Sequence, residues 1–513
     1  MEYAPAIKRL VDLVDRGPED EDFFPFDSNQ TVFRRQWPAA HNCVSEINEI
    51  GYQGAAEWGE RITVRLTRQE AGDMVQWLAV RYKPQSWLGG DVEARLSSGA
   101  YAYADPSGAW MWASSLGSIG IRQVDLQIND VTVESWTGDW IDIWSRMSLD
   151  AGRSGTWDVD MNGQLPAAWL SDTKRPPQST WLPTEDGWIT SWLPFSFFRR
   201  PGSALPLLAL SDQTEVRVHI WFNDFEKVVR RRLVPRVDPC ETPLGKTVTL
   251  VDVSSGALSV YPMAASGQEP PLLEFGVWVG SVQLENPLRD RYMRQPFEML
   301  YEPVSVTRYD VPPALTLTPS AGAIGATVPV VIPLDEFNGP LRSVIWFFRR
   351  KAVWQFNEWT NYGALLEPGL LQTIASQNAR LTAVTPAPIQ VPIMASARLM
   401  VGNAVWRDDT EQWWRQDFGL DHRGGVRMTA GMVYGYDFGS AGVGGDLDDL
   451  QPEGTVNASR TDLRLDMQVI PPVPSGTNQW VDPTGSEYEI IVIGIGLNWM
   501  RFISGQAQPL FND

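Results

Sequence analysis

An all-β fold of antiparallel sandwiches or barrels is what this sequence predicts, and three observations carry the prediction. The first is a hydrophobic period of two. Ile62, Val64 and Leu66 alternate with Thr63, Arg65 and Thr67; Val216, Val218, Ile220 and Phe222 alternate with Arg217, His219 and Trp221; Leu463, Leu465, Met467 and Val469 alternate with Arg464, Asp466 and Gln468. Successive side chains of a strand point to opposite faces, so each run describes a strand with one wet face. The second is that helical patterns long enough to cross between parallel strands are almost absent, which removes doubly wound and α/β-barrel folds. The third is composition: 43 Gly, 38 Pro and 24 Trp, spread along the whole chain, describe many short segments separated by turns, with large rings filling sheet interiors and interfaces.

Taken in order, the chain opens with Ile7, Leu10, Val11 and Val14 at helical spacing and Gly17-Pro18 as a stop, so residues 4–16 read as one short amphipathic helix. The acidic run Glu19 to Asp22 separates it from the body, which makes residues 1–23 an arm. From Phe24 onward strand patterning dominates. Two denser runs, 344–348 and 490–497, read as strands buried on both faces. Long Gly-, Pro- and Asp-rich loops at 166–186, 311–333, 439–452 and 471–485 read as functional or interface-forming. A strand-like stretch at 275–284 gives way to the charged stretch 286–295 before strands resume. With 513 residues too many for one ordinary core, this predicts a first domain over 24–285, a linker over 286–296 and a second domain over 297–513.

Charge and cysteine usage narrow the function. Forty-two basic against 62 acidic residues leave a net charge of −20, which argues against a surface that condenses on nucleic-acid phosphates or anionic lipid. Cys43 and Cys240 are the only cysteines, so neither a disulfide scaffold nor a Cys-based metal domain is indicated, and a reducing compartment fits. The first 14 residues lack the pattern of a secretory signal, and the charge-free stretch 312–334 carries five prolines that would break a spanning helix. Basic charge is carried by 36 Arg against 6 Lys, and the planar guanidinium fork suits ion pairs held within packed interfaces.

Catalytic constellations are few. His219 lies on the polar face of its strand and reads as a hydrogen-bonded surface or interface histidine rather than a general base. His41, two residues from Cys43, suggests a thiolate pair, but a half-buried loop cysteine explains Cys43 better. Asp158, Asp160, Asn162 and Gly163 copy the opening of a calcium loop; Trp169 stands where the bidentate Glu is required, so an Asx-rich hairpin turn is the better reading. Asp446, Asp448 and Asp449 form an acidic cluster that reads as a solvated loop rather than a metal site or a glycosidase pair. Gly322 and Gly325 lack the Lys-Ser/Thr ending and following helix of a phosphate loop. Lys227, Arg230, Arg231, Arg232 and Arg236 form a basic cluster expected to pair with carboxylates within the fold or across a subunit contact. The sequons at Asn29 and Asn457 are chance matches in the absence of a secretory signal. No catalytic residue, metal or cofactor is expected.

What remains is a collinear set of phrases: Phe33-Arg34-Arg35; the stretch from Leu193 to Leu210 that contains Phe197-Phe198-Arg199-Arg200-Pro201-Gly202; the strand 215–222; Phe297 to Glu302; Asn338-Gly339-Pro340 leading into 341–346; Asn498 to Gly505; and a turn holding Pro452, Gly454, Asn457, Ser459, Arg460 and Asp462. Together they resemble the major capsid protein family of the nucleocytoplasmic large DNA viruses. The turn is similar to that family's Pro-x-Gly-x-x-Asn-x-Ser-Arg-x-Asp signature. Gly339 departs from it, intervening in the usual Asn-Pro dipeptide, and so does the extra length between Phe222 and Phe275.

The resemblance implies two consecutive eight-stranded jelly rolls per chain and a homotrimer forming a pseudo-hexagonal tile of an icosahedral shell. Implied partners are copies of the chain, neighbouring capsomers, minor capsid proteins and, indirectly, an internal membrane, with no direct nucleic acid and a place in the virion after assembly in the host cytoplasm. In the signature, Gly454 permits a turn with positive φ, Asn457 and Ser459 are expected to bond nearby backbone, and Arg460 to fork onto Asp462 or another carboxylate. A carbohydrate-binding β-sandwich, resting on exposed Trp rings, and a two-sandwich hydrolase using Asp446 and Asp448 are the rival readings.

Overall fold

Alternating apolar residues pair across strands into rows, and those rows are the first core. The computed structural model describes residues 42–84, 110–149, 156–163, 187–231, 235–242, 245–250, 272–310, 327–350, 357, 359–363, 392–417, 432–439, 454–469 and 488–511. The predicted arm and the phrase at Phe33 lie outside these. Strand Val216–Phe222 runs antiparallel between Arg61–Leu66 and Ile121–Ile128, with Val131–Thr137 beyond the latter and Tyr52–Gln53 at the far edge. Register stacks Ile62, Ile220 and Val124 in one row, Val64, Val218 and Leu126 in the next, and Leu66, Val216 and Ile128 in a third, all buried. Such directly opposed pairs are the unit of sheet stability.

The facing sheet is ordered Cys43–Ile50, Leu272–Leu284, Met74–Pro84, Ile189–Trp192, with Leu205–Pro206 pairing Met74–Pro84. Aromatic rings join the two layers: Tyr82 from one meets Phe222 from the other at 6.1 Å, edge to face, and Trp58 packs on both.

The second half repeats the plan. Strands Val304–Asp310, Tyr488–Gly496, Pro340–Arg350 and Val433–Asp437 form one sheet, which Val456–Asn457 joins by pairing with Pro340–Arg350. Strands Val328–Pro333, Leu463–Val469, Met394–Val401 and Ala404–Thr410 form the sheet opposite. The dense runs behave as predicted: Val344 to Phe348 and Ile490 to Ile493 have no exposed surface. Among the described residues, every strand pairing stays within its own half of the chain.

A third, three-stranded sheet joins Phe297–Tyr301, Asn498–Ile503 and Gln506–Pro509. Its hairpin turns on Ser504 and Gly505, both at positive φ (51° and 78°), the combination a two-residue hairpin of matching twist requires. Gly505 also approaches the first half so closely that a Cβ would fall 2.8 Å from that of Ser211.

The two longest helices among the described residues were not foreseen. Asp139–Ser148 buries Trp140, Ile141, Ile143, Trp144 and Met147 against the first core. The charged stretch expected as a linker holds the helix Asn286–Arg294, started by a proline in its first turn and burying no residue.

Candidate functional site: the signature turn and the seam between the halves

Two features tie distant parts of this chain together, and the signature turn is the first. Gly454 has φ +71°, and a Cβ there would lie 2.5 Å from the carbonyl oxygen of Phe438, so both conformation and space demand glycine. Val456 and Asn457 then pair with Leu341 and Pro340. The Ala458 amide donates to Gly339 O at 2.9 Å, and the Gly339 amide donates to Ser459 Oγ at 2.6 Å. Asn457 contributes its main chain, its carbonyl accepting from the Arg460 amide at 3.2 Å, and the Asp462 carbonyl accepts from the Gly402 amide at 2.7 Å. The expected Arg460 to Asp462 fork is corrected: both residues are exposed, and no ion pair joins them among the described residues. At the turn's edge, backbone bonds hold what a side-chain pair was expected to hold. Pro452 and Asn29 lie outside the described residues, and Asn457 is exposed.

The second feature is a buried charged seam between the halves. Arg199, 4% exposed at its side chain, donates from Nε to Pro194 O at 3.0 Å and from Nη2 to Glu134 Oε1 at 3.1 Å, while Nη1 reaches Glu302 Oε2 at 3.5 Å. Glu302 also faces Arg200 Nε at 2.9 Å and pairs with Arg342. Its own amide donates to Ser196 Oγ at 2.9 Å, and the Ser196 amide donates to Glu134 Oε2 at 3.1 Å. Glu134 and the two neighbouring arginines come from the first half; Glu302 and Arg342 come from the second. Burial pushes the Glu134 carboxyl up to about 7, against the pull of Arg199 and the Ser196 amide.

The helix Asp139–Ser148 supplies a parallel set. Arg349 of the second half forks onto Asp139, with Nη1 to Oδ2 at 3.1 Å, and Arg308 stands 3.6 Å away. Burial alone would raise the Asp139 carboxyl, but Arg349 outweighs it and holds the group below its ordinary 3.8. One turn on, Asp142 accepts from Arg146 Nε at 2.8 Å and from the Tyr362 hydroxyl at 2.6 Å. Sequence reasoning missed all of these. The available signal was Asp139, Asp142 and Arg146 at helical spacing beside Trp140, Ile143, Trp144 and Met147.

The other candidates are placed as follows. His219 has both ring nitrogens occupied, Nδ1 by Thr63 Oγ1 at 2.9 Å and Nε2 by Gln127 Oε1 at 3.1 Å, and burial together with Arg61 holds it below its usual 6.5. Cys43 is exposed at the start of an edge strand, which corrects the half-buried loop reading; His41 lies outside the described residues. Asp158 and Asp160 lie in a π-helical turn, Thr156–Met161, in place of the expected hairpin turn, because Asn162 folds inward to accept from Ser118 Oγ at 3.0 Å. Among the described residues, no group of three His, Cys, Asp or Glu side chains is placed to hold a metal, and no helix is long and apolar enough to cross a membrane. Lys227 of the basic cluster pairs with Asp224 at 3.0 Å; Arg230, Arg231 and Arg236 lie on strands, and Arg232 falls outside the described residues. Gly322, Gly325, Asp446, Asp448 and Asp449 also fall outside them. Trp406 and Trp499 are exposed, whereas Trp112, Trp136, Trp140, Trp346 and Trp414 are fully buried.

Comparison with known proteins shows what this chain is similar to. Residues 31–261 match the family described as the major capsid protein N-terminus. The major capsid protein of Chrysochromulina ericina virus is 23% identical over 363 residues, covering 66% of this chain and 56% of that one. That of Pyramimonas orientalis virus is 26% identical over 220 residues, covering 43% and 48%. The chain thus spans about half the length of these curated relatives. The PBCV-1 virus capsid superposes with a TM-score of 0.63 at 17% identity, over 94% of this chain and 100% of that one, and the Faustovirus major capsid protein with 0.57 at 10%, over 97% of each. The chain is thus similar, over its first half by the family match and over two thirds of its length by its curated relatives, to the major capsid proteins of the nucleocytoplasmic large DNA viruses.

Its fold is the double jelly roll of those capsid structures, and its two pairs of facing sheets are the two rolls. The family's phrases acquire physical roles here. Phe197-Phe198-Arg199-Arg200 places rings on the first core and two guanidinium groups in the seam. The extra Gly339 is the residue onto which the signature turn docks.

Proposed function

We propose that this chain is a structural, non-enzymatic major capsid protein, three copies of which assemble into a pseudo-hexagonal capsomer that tiles the icosahedral shell of a large double-stranded DNA virus. The observation that carries the reading is the seam. Arg199, Glu134, Glu302 and Arg342 are buried together, and with the Asp139 to Arg349 fork they fasten one jelly roll to the other. A tile with six near-equivalent corners made by three chains requires that the two rolls of each chain keep a fixed relation, and buried, geometrically demanding ion pairs supply that.

The proposed division is an arm over 1–23, rolls over 24–285 and 297–513, and a connection over 286–296. Partners are further copies of the chain in the trimer, neighbouring capsomers, minor capsid proteins and, through them, an internal membrane. The net charge of −20 supports a shell that makes no direct contact with the genome. The chain works in the virion after assembly in the host cytoplasm. Trimer contacts are expected to be large and apolar, and contacts between tiles smaller and more polar. Size-exclusion chromatography with light scattering tests the reading: a mass three times that of the 57.4 kDa chain is expected, and a clean monomer at micromolar concentration refutes it.

A further inference from the structure

The sequence contains two Asn-Gly dipeptides, Asn162-Gly163 and Asn338-Gly339, the first buried and the second with its Asn exposed. Asn-Gly is the chemically fragile pairing, because a glycine with no Cβ leaves its backbone nitrogen free to approach the preceding side chain. That nitrogen attacks Asn Cγ: the N–Cγ bond forms, the Cγ–Nδ2 bond breaks, and ammonia departs carrying the proton given up by the glycine nitrogen. Water then opens the resulting succinimide to aspartate or isoaspartate, so water is the only co-reactant.

At Asn338-Gly339 the attacking nitrogen is already engaged. Gly339 N–H donates to Ser459 Oγ at 2.6 Å, and on the other side of the same residue Gly339 O accepts from the Ala458 amide at 2.9 Å. These two bonds clamp Gly339 at φ +74°. Attack on Cγ requires the nitrogen to leave its partner and turn toward the Asn338 side chain, a near-attack geometry the clamp withholds.

We infer that Asn338-Gly339 is a latent deamidation site held shut by Ser459 of the signature turn, so that modification at Asn338 follows release of that turn. The product would block reversal. Isoaspartate adds a backbone atom and a negative charge beside Asp335 and Glu336, just where Pro340 and Leu341 must pair with Asn457 and Val456. Asn162 is the internal control: it is 2% exposed and its Oδ1 accepts from Ser118 Oγ at 3.0 Å, so it reports opening of the first core instead. The inference stands independently of the shell reading.

The test is to age the folded full-length chain at mildly alkaline pH and measure deamidation at both asparagines by peptide mass spectrometry, with the chain in urea as reference. Folded wild type should react at Asn338 at least about fivefold more slowly than the unfolded chain, and Ser459→Ala should raise the folded rate there by about fivefold, the size expected from one lost hydrogen bond, with Asn162 unchanged. Ser459→Thr, which keeps the hydroxyl, should stay slow. A wild-type rate at Asn338 equal to the unfolded rate, no rise in Ser459→Ala, or an equal rise at Asn162 and Asn338 would each overturn the assignment.

Discussion

The Gly339 amide nitrogen and Ser459 Oγ lie 2.6 Å apart although 120 residues separate them in sequence, so the lead-in to the central strand Pro340–Arg350 is fastened by the turn that precedes Leu463–Val469. Removing the hydroxyl leaves a half-buried amide without its acceptor. Ser459→Ala should therefore cost about 1–2 kcal/mol of folding stability, with Ser459→Thr close to wild type, read from urea or thermal unfolding.

Arg199 is the centre of the seam, and its truncation would leave the buried Glu134 without its guanidinium and take from Glu302 one of its three arginine partners. Arg199→Ala should destabilise by about 3–5 kcal/mol, and Arg199→Lys should recover little, because an ammonium cannot reproduce a fork that serves Pro194 O and two carboxylates. Denaturant midpoints would check both variants; a lysine variant as stable as wild type would contradict the geometric role.

The pH dependence of stability carries a sign for each buried group. Glu134, raised from an ordinary 4.5 to about 7, binds its proton more tightly folded than unfolded, so its contribution is fully present below about 4.5 and is lost as pH rises through about 7. His219, lowered from 6.5, acts oppositely below that pH, since the unfolded chain takes up the proton first. Asp139, lowered from 3.8, gives stability that is present above that value and lost on further acidification. The difference between wild type and Glu134→Gln isolates the first term: wild type should lose stability relative to the variant between pH 4.5 and 7. Parallel stability curves would exclude it.

Gly505 combines positive φ with a close approach to Ser211, and its carbonyl accepts from the Ser211 amide at 2.8 Å and from Thr214 Oγ1 at 2.7 Å. Gly505→Ala should cost about 1–3 kcal/mol and lift the hairpin from the first half. Hydrogen exchange should quicken along Asn498–Ile503 while the central strand Tyr488–Gly496 stays protected.

Arg460 is exposed, and no ion pair holds it among the described residues. Arg460→Ala should shift folding stability by no more than about 0.5 kcal/mol yet lower trimer yield, because the guanidinium is free to meet a neighbouring copy. Light scattering beside a thermal melt separates the two effects; normal trimer with a normal melt would remove Arg460 from assembly.

Much of this molecule was legible without coordinates, and the reason is local. A strand's faces alternate by covalent geometry, so Ile62, Val64 and Leu66 announced their inward direction whatever they packed on, and the unbroken run from Ile490 to Ile493 announced burial on both faces. Glycine positions spoke similarly: Gly454 was expected at positive φ because few other residues reach it. The phrases that mark the family, the acidic balance and the scarcity of histidine needed nothing beyond the residue order.

The tertiary structure alone decided which charges meet. Arg199 finds Glu134 across 65 residues and Glu302 across 103, and Arg349 finds Asp139 across 210. No periodicity encodes such a choice, because a guanidinium accepts any carboxylate and the selection is made by which strand ends the two rolls bring together in a water-poor seam. The same holds for the signature turn, where Arg460 and Asp462 were natural partners by charge but the fold, by pairing Val456–Asn457 with Pro340 and Leu341, gave the binding to Ser459 and the backbone.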